Sequence, residues 1–166
     1  AQHVAKALTR PPADVQAVVD ATLAKLTGGD PVRGLQVFRG SKAACSACHK
    51  MGYVGTNIGP VLTRIGRSRT REALLEAILF PSSRLEQSYQ STRILTDEGK
   101  VFSGLIQSQT AEAIELRLNA DRTVTIATDR IEQLAPSNVS VMPSGLGELL
   151  SEQELADLLA LLESAR

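Results

Sequence analysis

The sequence is poor in aromatic residues, in cysteine and in net charge. It has no Trp, aromatic residues make up 3% of its 166 residues, and its 18 basic and 18 acidic side chains cancel. This balance argues against a protein that holds nucleic acid by bulk positive charge. Two cysteines are too few for a disulfide-stabilised scaffold. No apolar run approaches the roughly 20 residues that cross a bilayer, so we expect no membrane span in this chain.

Acidic residues are also missing from one long segment. Between Pro31 and Arg71 the sequence has no Asp or Glu, and the same segment contains both cysteines and His49. Its basic residues are Arg33, Arg39, Lys42, Lys50, Arg64, Arg67, Arg69 and Arg71. Such a segment is either a solvated face without a function or a positive surface that attracts an acidic partner to a reactive centre.

The spacing of apolar residues predicts helices towards both ends of the chain. A run of Gly and irregular spacing over residues 50–69 predicts a loop between them. Capping residues and prolines place the boundaries of the helices. The predicted elements are a helical extension or linker over residues 1–29, a helix from Asp30 to Arg39, a helix after Thr70 that Pro81 ends, and a last helix from about Ser151, where Ser151 and Glu154 form a capping box.

A different pattern occupies the middle of the sequence. Apolar and polar residues alternate at Ile114, Leu116 and Leu118, which is typical of strands. Strands are predicted to begin near Tyr89, Lys100, Ala113, Thr123 and Ile131. These short strands predict a small, strongly bent antiparallel sheet or barrel at about 86–135. The stretch 96–104 resembles the first hairpin of SH3-like or Sm-like barrels.

The residues that carry chemistry are Cys45, Ser46, Ala47, Cys48 and His49. They form the C-x-x-C-H signature of covalent c-type haem attachment. Two thiols three residues apart reach the two vinyl groups of one porphyrin, and the following imidazole then lies under the iron. The sequence therefore predicts one covalent haem c, bound through Cys45 and Cys48 with His49 as an iron ligand.

Three other interpretations of the same residues remain open. A thioredoxin-like redox pair would need a strand before the motif and a helix after it. A zinc site needs four ligands, and the chain offers its two cysteines with only His49 and His3. A structural disulfide between Cys45 and Cys48 is the third interpretation.

A second axial ligand on the iron is expected to be Met or His. Met51 follows His49 by two residues, so we expect it on the same side of the haem. Met142 lies in a loop bounded by Pro143 and Gly145, outside any apolar stripe. The sequence therefore predicts Met142 as the sixth ligand, with a buried core position as the ordinary alternative for a Met.

Further positions resemble class I c-type cytochromes. Gly34 and Phe38 resemble the small and aromatic pair of that family's N-terminal helix, which crosses the C-terminal helix at positions matching Leu158 and Leu161. The family usually has an aromatic residue where this chain has Leu161. Residues 59–62, Gly-Pro-Val-Leu, resemble the family's Gly-Pro-x-Leu loop.

The resemblance implies roles for individual residues. It implies that the Pro60 carbonyl accepts a hydrogen bond from the His49 ring and that Leu62 packs on the haem edge. It also implies that Arg67 pairs with a haem propionate and that Met142 is the distal ligand.

The resemblance also implies a fold and a location. The fold class expected is α+β: a mostly helical class I cytochrome c fold over residues 30–166, with the β-sheet or barrel inserted between the third helix and the Met loop. The arrangement resembles a bacterial haem-binding domain family found at the C-terminal end of larger, dehydrogenase-like proteins. A periplasmic or otherwise exported location is therefore expected, because covalent haem attachment takes place outside the bacterial inner membrane.

These observations lead to three hypotheses of function. The first is an electron carrier, not an enzyme, that exchanges electrons with an acidic partner protein or with a fused or associated dehydrogenase. The second is a five-coordinate haem enzyme or gas sensor. The third is a docking module in which the β insert binds a partner and the haem is only tethered to it.

Overall fold

The computed structural model describes residues 14–166, which form two compact units. The first unit contains the described residues up to Arg84 together with Pro143–Arg166, and the second contains Leu85–Met142. The predicted helical extension over residues 1–29 is seen from Asp14 onwards, and residues 1–13 lie outside the described part of the chain.

The first unit is built mainly from helices. Its elements are α1 (Val15–Leu23), α2 (Pro31–Arg39), the short hairpin β1 (Lys50–Met51) and β2 (Val54–Gly55), α3 (Arg71–Leu79), α4 (Leu146–Leu149) and α5 (Glu152–Ser164). The predicted caps are confirmed at Asp30, Thr70 and Ser151, whose side chains accept hydrogen bonds from backbone N–H groups three residues on. Helix α1 packs against α3 and buries Val19 to 1% exposure, so α1 belongs to the core of this unit.

Helices α2 and α5 cross at a glycine. A Cβ on Gly34 would lie 2.1 Å from the Asp157 carbonyl oxygen and 2.8 Å from the Leu161 Cβ, so only glycine allows this approach. One turn further along α2, Phe38 is completely buried. The crossing expected for Gly34, Phe38 and Leu161 is therefore present.

A buried carboxylate fastens the same crossing. Asp157 is 4% exposed and accepts hydrogen bonds from the Arg33 guanidinium, at 2.8 Å from both Nε and Nη2. It also accepts from the Asp30 backbone N–H at 2.8 Å and from the Gln153 amide at 2.9 Å. The bonds from Arg33, with those from the other two donors, lower the pKa of Asp157 from 3.8 to about 2.

The segment that follows the crossing returns to α5 at Gly66. The Gly66 N–H donates to the Ala165 carbonyl at 3.0 Å, and a Cβ on Gly66 would lie 2.4 Å from the Glu163 carbonyl oxygen. Arg71, a little further on, forms an ion pair with the Glu163 carboxylate. Residues 40–65 are thus attached to α5 at both of their ends.

The second unit is a five-stranded antiparallel sheet. Its strands are β3 (Thr92–Thr96), β4 (Val101–Gln109), β5 (Ala113–Arg117), β6 (Thr123–Ala127) and β7 (Ile131–Pro136), in the order β6-β5-β4-β3-β7. The last strand therefore returns to pair with the first. Its core contains Ile94, Ile114, Leu116 and Ile126, which confirms the alternation predicted from the sequence. Irregular register at Leu95/Thr96 and Ile106/Ser108 bends the strands.

The expected fold class is correct in part. The protein is α+β, but the expectation of a mostly helical fold is wrong, because helices make up 37% and strands 22% of the described residues. Helix α2, for example, has only nine residues, because Gly40 ends it and the residues after Gly40 form turns. The first strand of the second unit, β3, begins at Thr92, three residues after the predicted start near Tyr89, which lies in a single 3₁₀ turn. The last strand ends at Pro136, and the compact unit that contains the sheet runs on to Met142.

None of the helices in residues 14–166 is long and apolar enough to cross a membrane.

The Asp157 cluster generates a prediction about stability. We expect Asp157→Asn to lower the free energy of unfolding by about 1–3 kcal/mol, because the amide N–H group that replaces one carboxylate oxygen would face a donor and leave it unpaired. The control is Lys42→Gln, which breaks the exposed ion pair of Lys42 with Glu154 on the same helix (side chains 51% and 33% exposed). That change should lower the free energy of unfolding much less, because water screens an exposed pair. Urea unfolding measures both, and equal costs would contradict the account.

The lowered pKa of Asp157 also predicts how stability depends on pH. A carboxyl whose pKa is about 2 in the folded chain and near 3.8 in the unfolded chain stabilises the fold above about pH 4. This contribution is lost as the pH falls towards 2. We therefore expect the free energy of unfolding to fall less steeply between pH 4 and 2 in Asp157→Asn than in the parent chain. Parallel slopes in a urea series over this range would show that Asp157 is not the group responsible.

Candidate functional site

The two cysteines lie on a single tight turn after α2. Gly40 ends α2, Ala44 takes a left-handed conformation with φ of 49°, and a 3₁₀ turn then runs over Cys45–Ala47. The Cys45 carbonyl accepts from the N–H groups of Cys48 at 3.2 Å and His49 at 2.9 Å. Both cysteines are half-buried and are not joined by a disulfide. The turn therefore presents two thiols one turn apart, with His49 directly after them.

The His49 ring is held by a backbone carbonyl. Its Nδ1 lies 2.8 Å from the Pro60 oxygen. A carbonyl oxygen can only accept a hydrogen bond, so Nδ1 carries the proton and Nε2 keeps its lone pair. This contact matches the one implied by the resemblance, and it leaves the half-buried ring with one nitrogen able to bind a metal.

A glycine forms the surface against which this ring lies. A Cβ on Gly59 would lie 2.7 Å from His49 Cε1 and 3.0 Å from Nδ1, closer than carbon atoms can approach. The N–H groups of Ile58 and Gly59 both donate to the Cys48 carbonyl, at 3.0 and 2.8 Å. The loop is thus bonded to the cysteine turn as well as to the ring, and Gly59 and Pro60 together fix the orientation of the ring.

Burial changes the acidity of two groups in this site. It lowers the pKa of His49, although the bond to the Pro60 carbonyl acts in the opposite direction. Burial also raises the pKa of the Cys45 thiol. A backbone hydrogen bond acts in the opposite direction, and the neighbouring Cys48 raises this pKa further. The imidazole is therefore kept neutral, as a metal ligand must be. The thiol lacks the lowered pKa of a catalytic redox cysteine.

A hairpin follows His49 where the sequence predicted only a loop. Strands β1 and β2 pair through Met51 and Val54, with Gly52 and Tyr53 at the turn and Gly52 at φ of 58°. A Cβ on Gly55 would lie 2.0 Å from the His49 carbonyl oxygen. The signal that could have revealed the hairpin is the pair of glycines that flank Tyr53 and Val54, and the strands are too short to show alternation.

The remaining predicted site residues of the first unit lie near this hairpin. Leu62 is half-buried, and its N–H donates to the Lys50 carbonyl at 2.7 Å. Arg67 ends a 3₁₀ turn over Ile65–Arg67 and is exposed. It forms no ion pair with any carboxylate of residues 14–166. The roles implied for Leu62 and Arg67 against a haem stay predictions.

Met142 is the last residue of the second unit, and its N–H donates to the Ser140 hydroxyl at 3.1 Å. The side chain is half-buried. Its ligation of an iron stays a prediction.

Some basic residues of the segment between Pro31 and Arg71 form ion pairs within the first unit. Arg33, Lys42 and Arg71 each form an ion pair with a carboxylate of α5. The basic side chains with no such pair in the described chain are Arg39, Lys50, Arg64 and Arg67. The sequence could not separate these two groups, because the acidic partners lie more than 90 residues away along the chain.

The structure bears on the alternative interpretations of the two cysteines. Residues 14–166 contain no group of three or more His, Cys, Asp or Glu side chains that could hold a metal ion, and His3 lies outside these residues. A helix precedes the cysteines and a two-residue strand follows them, which is not the context of a thioredoxin-like pair. The two thiols lie on one turn, and the contact of Nδ1 with Pro60 leaves the lone pair of His49 Nε2 available.

No known family model matches the chain, and no curated protein matches it.

Gly59 generates a prediction about the imidazole. In the chain made without haem attachment, we expect nitrogen NMR to show His49 as the neutral Nδ1–H tautomer. Gly59→Ala should shift the tautomer balance and expose the ring, because its Cβ would displace the imidazole from Pro60.

The matched control for this prediction is Gly99→Ala. It adds a Cβ at φ of 74° where no atom lies within 4 Å, so it tests backbone strain alone. Its His49 signals should equal those of the parent chain. An unchanged tautomer in Gly59→Ala would contradict the contact between the ring and the loop.

Proposed function

We propose that this protein is a one-electron carrier with a single haem c attached through Cys45 and Cys48. The observation that carries the proposal is the hydrogen bond from His49 Nδ1 to the Pro60 carbonyl. This bond leaves Nε2 unprotonated and aims the ring, as expected of a histidine that ligates a metal. A histidine that served only packing would not need both a fixed tautomer and a glycine at position 59.

When bound, the haem supplies an iron that alternates between the ferric and ferrous states. The cysteine turn would anchor it, and the bond to Pro60 would keep His49 neutral and correctly oriented. Half-buried Leu62 and Ile58 would exclude water beside the site. Exposed Arg67, which has no carboxylate partner within the described residues, would neutralise a propionate.

Met142 is the proposed second axial ligand, and the support comes from the sequence. The chain has two Met and two His. His49 is the proximal ligand of this proposal, Met51 follows it by two residues, and His3 lies outside the described residues. A Met ligand favours the ferrous state and raises the reduction potential. With both axial positions filled, no substrate would bind the iron, so the proposal is a carrier and not an enzyme.

The wider setting follows from the same chemistry. Covalent haem attachment implies a periplasmic or otherwise exported protein in a bacterium. The resemblance to haem-binding domains of larger proteins supports a fused or associated dehydrogenase as a redox partner. Both statements are part of the proposal.

A pair of methionine variants tests this assignment. The protein made with a haem-attachment system should show the weak near-infrared band of Met-ligated ferric haem, and the ferrous form should not take up CO. We expect Met142→Ala to lose the band and bind CO rapidly, because it opens one axial position. Met51→Ala is the matched control and should keep the parent spectrum.

Other outcomes would change the assignment. A parent protein with a high-spin spectrum that binds CO would favour a five-coordinate haem enzyme or sensor. Loss of the near-infrared band in Met51→Ala, with the band kept in Met142→Ala, would exchange the roles of the two methionines.

A further inference from the structure

The tip of the β1–β2 hairpin exposes an aromatic side chain in a chain that has few of them. Tyr53 is one of only two Tyr in the sequence and is fully exposed to water. Val61, on the neighbouring loop, is 49% exposed. An exposed aromatic side chain beside an apolar one does not stabilise this fold. Tyr is, however, among the residues that contribute most to binding at protein interfaces.

The hairpin is rigid enough to serve as a preformed contact. The Gly52 N–H donates to the Thr63 hydroxyl at 2.9 Å, and the Thr56 hydroxyl donates to the Ala47 carbonyl at 2.6 Å. The bond to Thr63 and the bond from Leu62 to the Lys50 carbonyl hold the hairpin against residues 61–63, and the bond to Ala47 joins it to the cysteine turn. A partner that binds here would therefore lose little conformational entropy in ordering this surface.

The charged side chains in the segments beside Tyr53 are both positive. Lys50 and Arg64 lie in the two segments that these bonds join, and neither forms an ion pair with a carboxylate of residues 14–166. The sequence from Pro31 to Arg71 has no Asp or Glu. Because neither cation is paired with a carboxylate of residues 14–166, the surface is complementary to an acidic one.

We propose that this hairpin surface, formed by Lys50, Tyr53, Val61 and Arg64, is the docking site for an acidic redox protein. Tyr53 is the apolar anchor of the contact, and the two cations orient the partner. The proposal rests on the proposed electron-carrier function, because it supplies the place where one electron enters or leaves. His49, which precedes Lys50 directly, links this surface to the proposed iron site.

The test uses the haem-loaded protein and a reduced, acidic [2Fe–2S] ferredoxin as the probe. One electron leaves the ferredoxin cluster and reduces the ferric haem, and anaerobic stopped-flow absorbance gives the second-order rate constant. This constant should fall as ionic strength rises. Tyr53→Ser should lower it about tenfold. Arg64→Gln and Lys50→Gln should each lower it about threefold at low ionic strength and have little effect at high salt.

Control variants distinguish a loss of partner binding from a general effect of substitution on the haem site. Val32→Ser removes another exposed apolar side chain, and Arg122→Gln removes an exposed cation of the second unit. Both should leave the rate unchanged. All variants should react at the parent rate with hydroquinone, an uncharged small reductant that needs no docking surface.

The outcomes distinguish this proposal from the function on which it rests. A chain without haem overturns both. A haem-loaded chain whose rate with ferredoxin does not depend on salt, or whose Tyr53→Ser variant reacts at the parent rate, overturns the docking site alone. Self-association that Tyr53→Ser abolishes would also overturn it, because the surface would then bind a second copy of this chain.

Discussion

The close packing of α5 against the backbone of α2 and Gly66 is the constraint on which the first unit depends. Glycines at positions 34 and 66 allow the backbone to approach within distances that any side chain would prevent. Asp157 then fixes the crossing through Arg33 and the start of α2. The segment between these two attachments contains the candidate site. Its ends are therefore fixed by contacts with a helix more than 80 residues further along the chain.

Within this segment, backbone groups do most of the positioning. The Cys48 carbonyl accepts two N–H groups from the Gly59 loop, and the Pro60 carbonyl accepts from the His49 ring. Neither contact depends on a flexible side chain other than the ring itself. A rigid ring with a defined tautomer suits a centre that changes oxidation state, since little has to reorganise when the electron moves. This arrangement and the two thiols are the observations that support the proposed function.

The sequence predicted those parts of the structure that depend on local chemistry. The caps at Asp30, Thr70 and Ser151 and the alternation around Leu116 are local signals, and they are confirmed. The β1–β2 hairpin was not predicted, because strands of two residues show no periodicity. The proportion of helix was overestimated, because the resemblance to a helical family covers only part of the chain.

In the candidate site, too, some features could be predicted from the sequence and others could not. The C-x-x-C-H residues are visible in the sequence, and the contact from His49 to Pro60 was implied by resemblance. The division of the basic residues between the fold and the surface could not be predicted. It depends on which cations meet Asp157, Glu154 and Glu163, and these pairs form only when α5 has packed.

The most direct test of the central claim is the intact mass and alkaline pyridine haemochrome of the protein made with a working haem-attachment system. The account predicts a mass increase of one haem, a c-type haemochrome spectrum, and the loss of both in a Cys45→Ser, Cys48→Ser double variant. Parent protein with the mass of the bare chain and no haemochrome would contradict it, and would return the two cysteines to disulfide or metal chemistry.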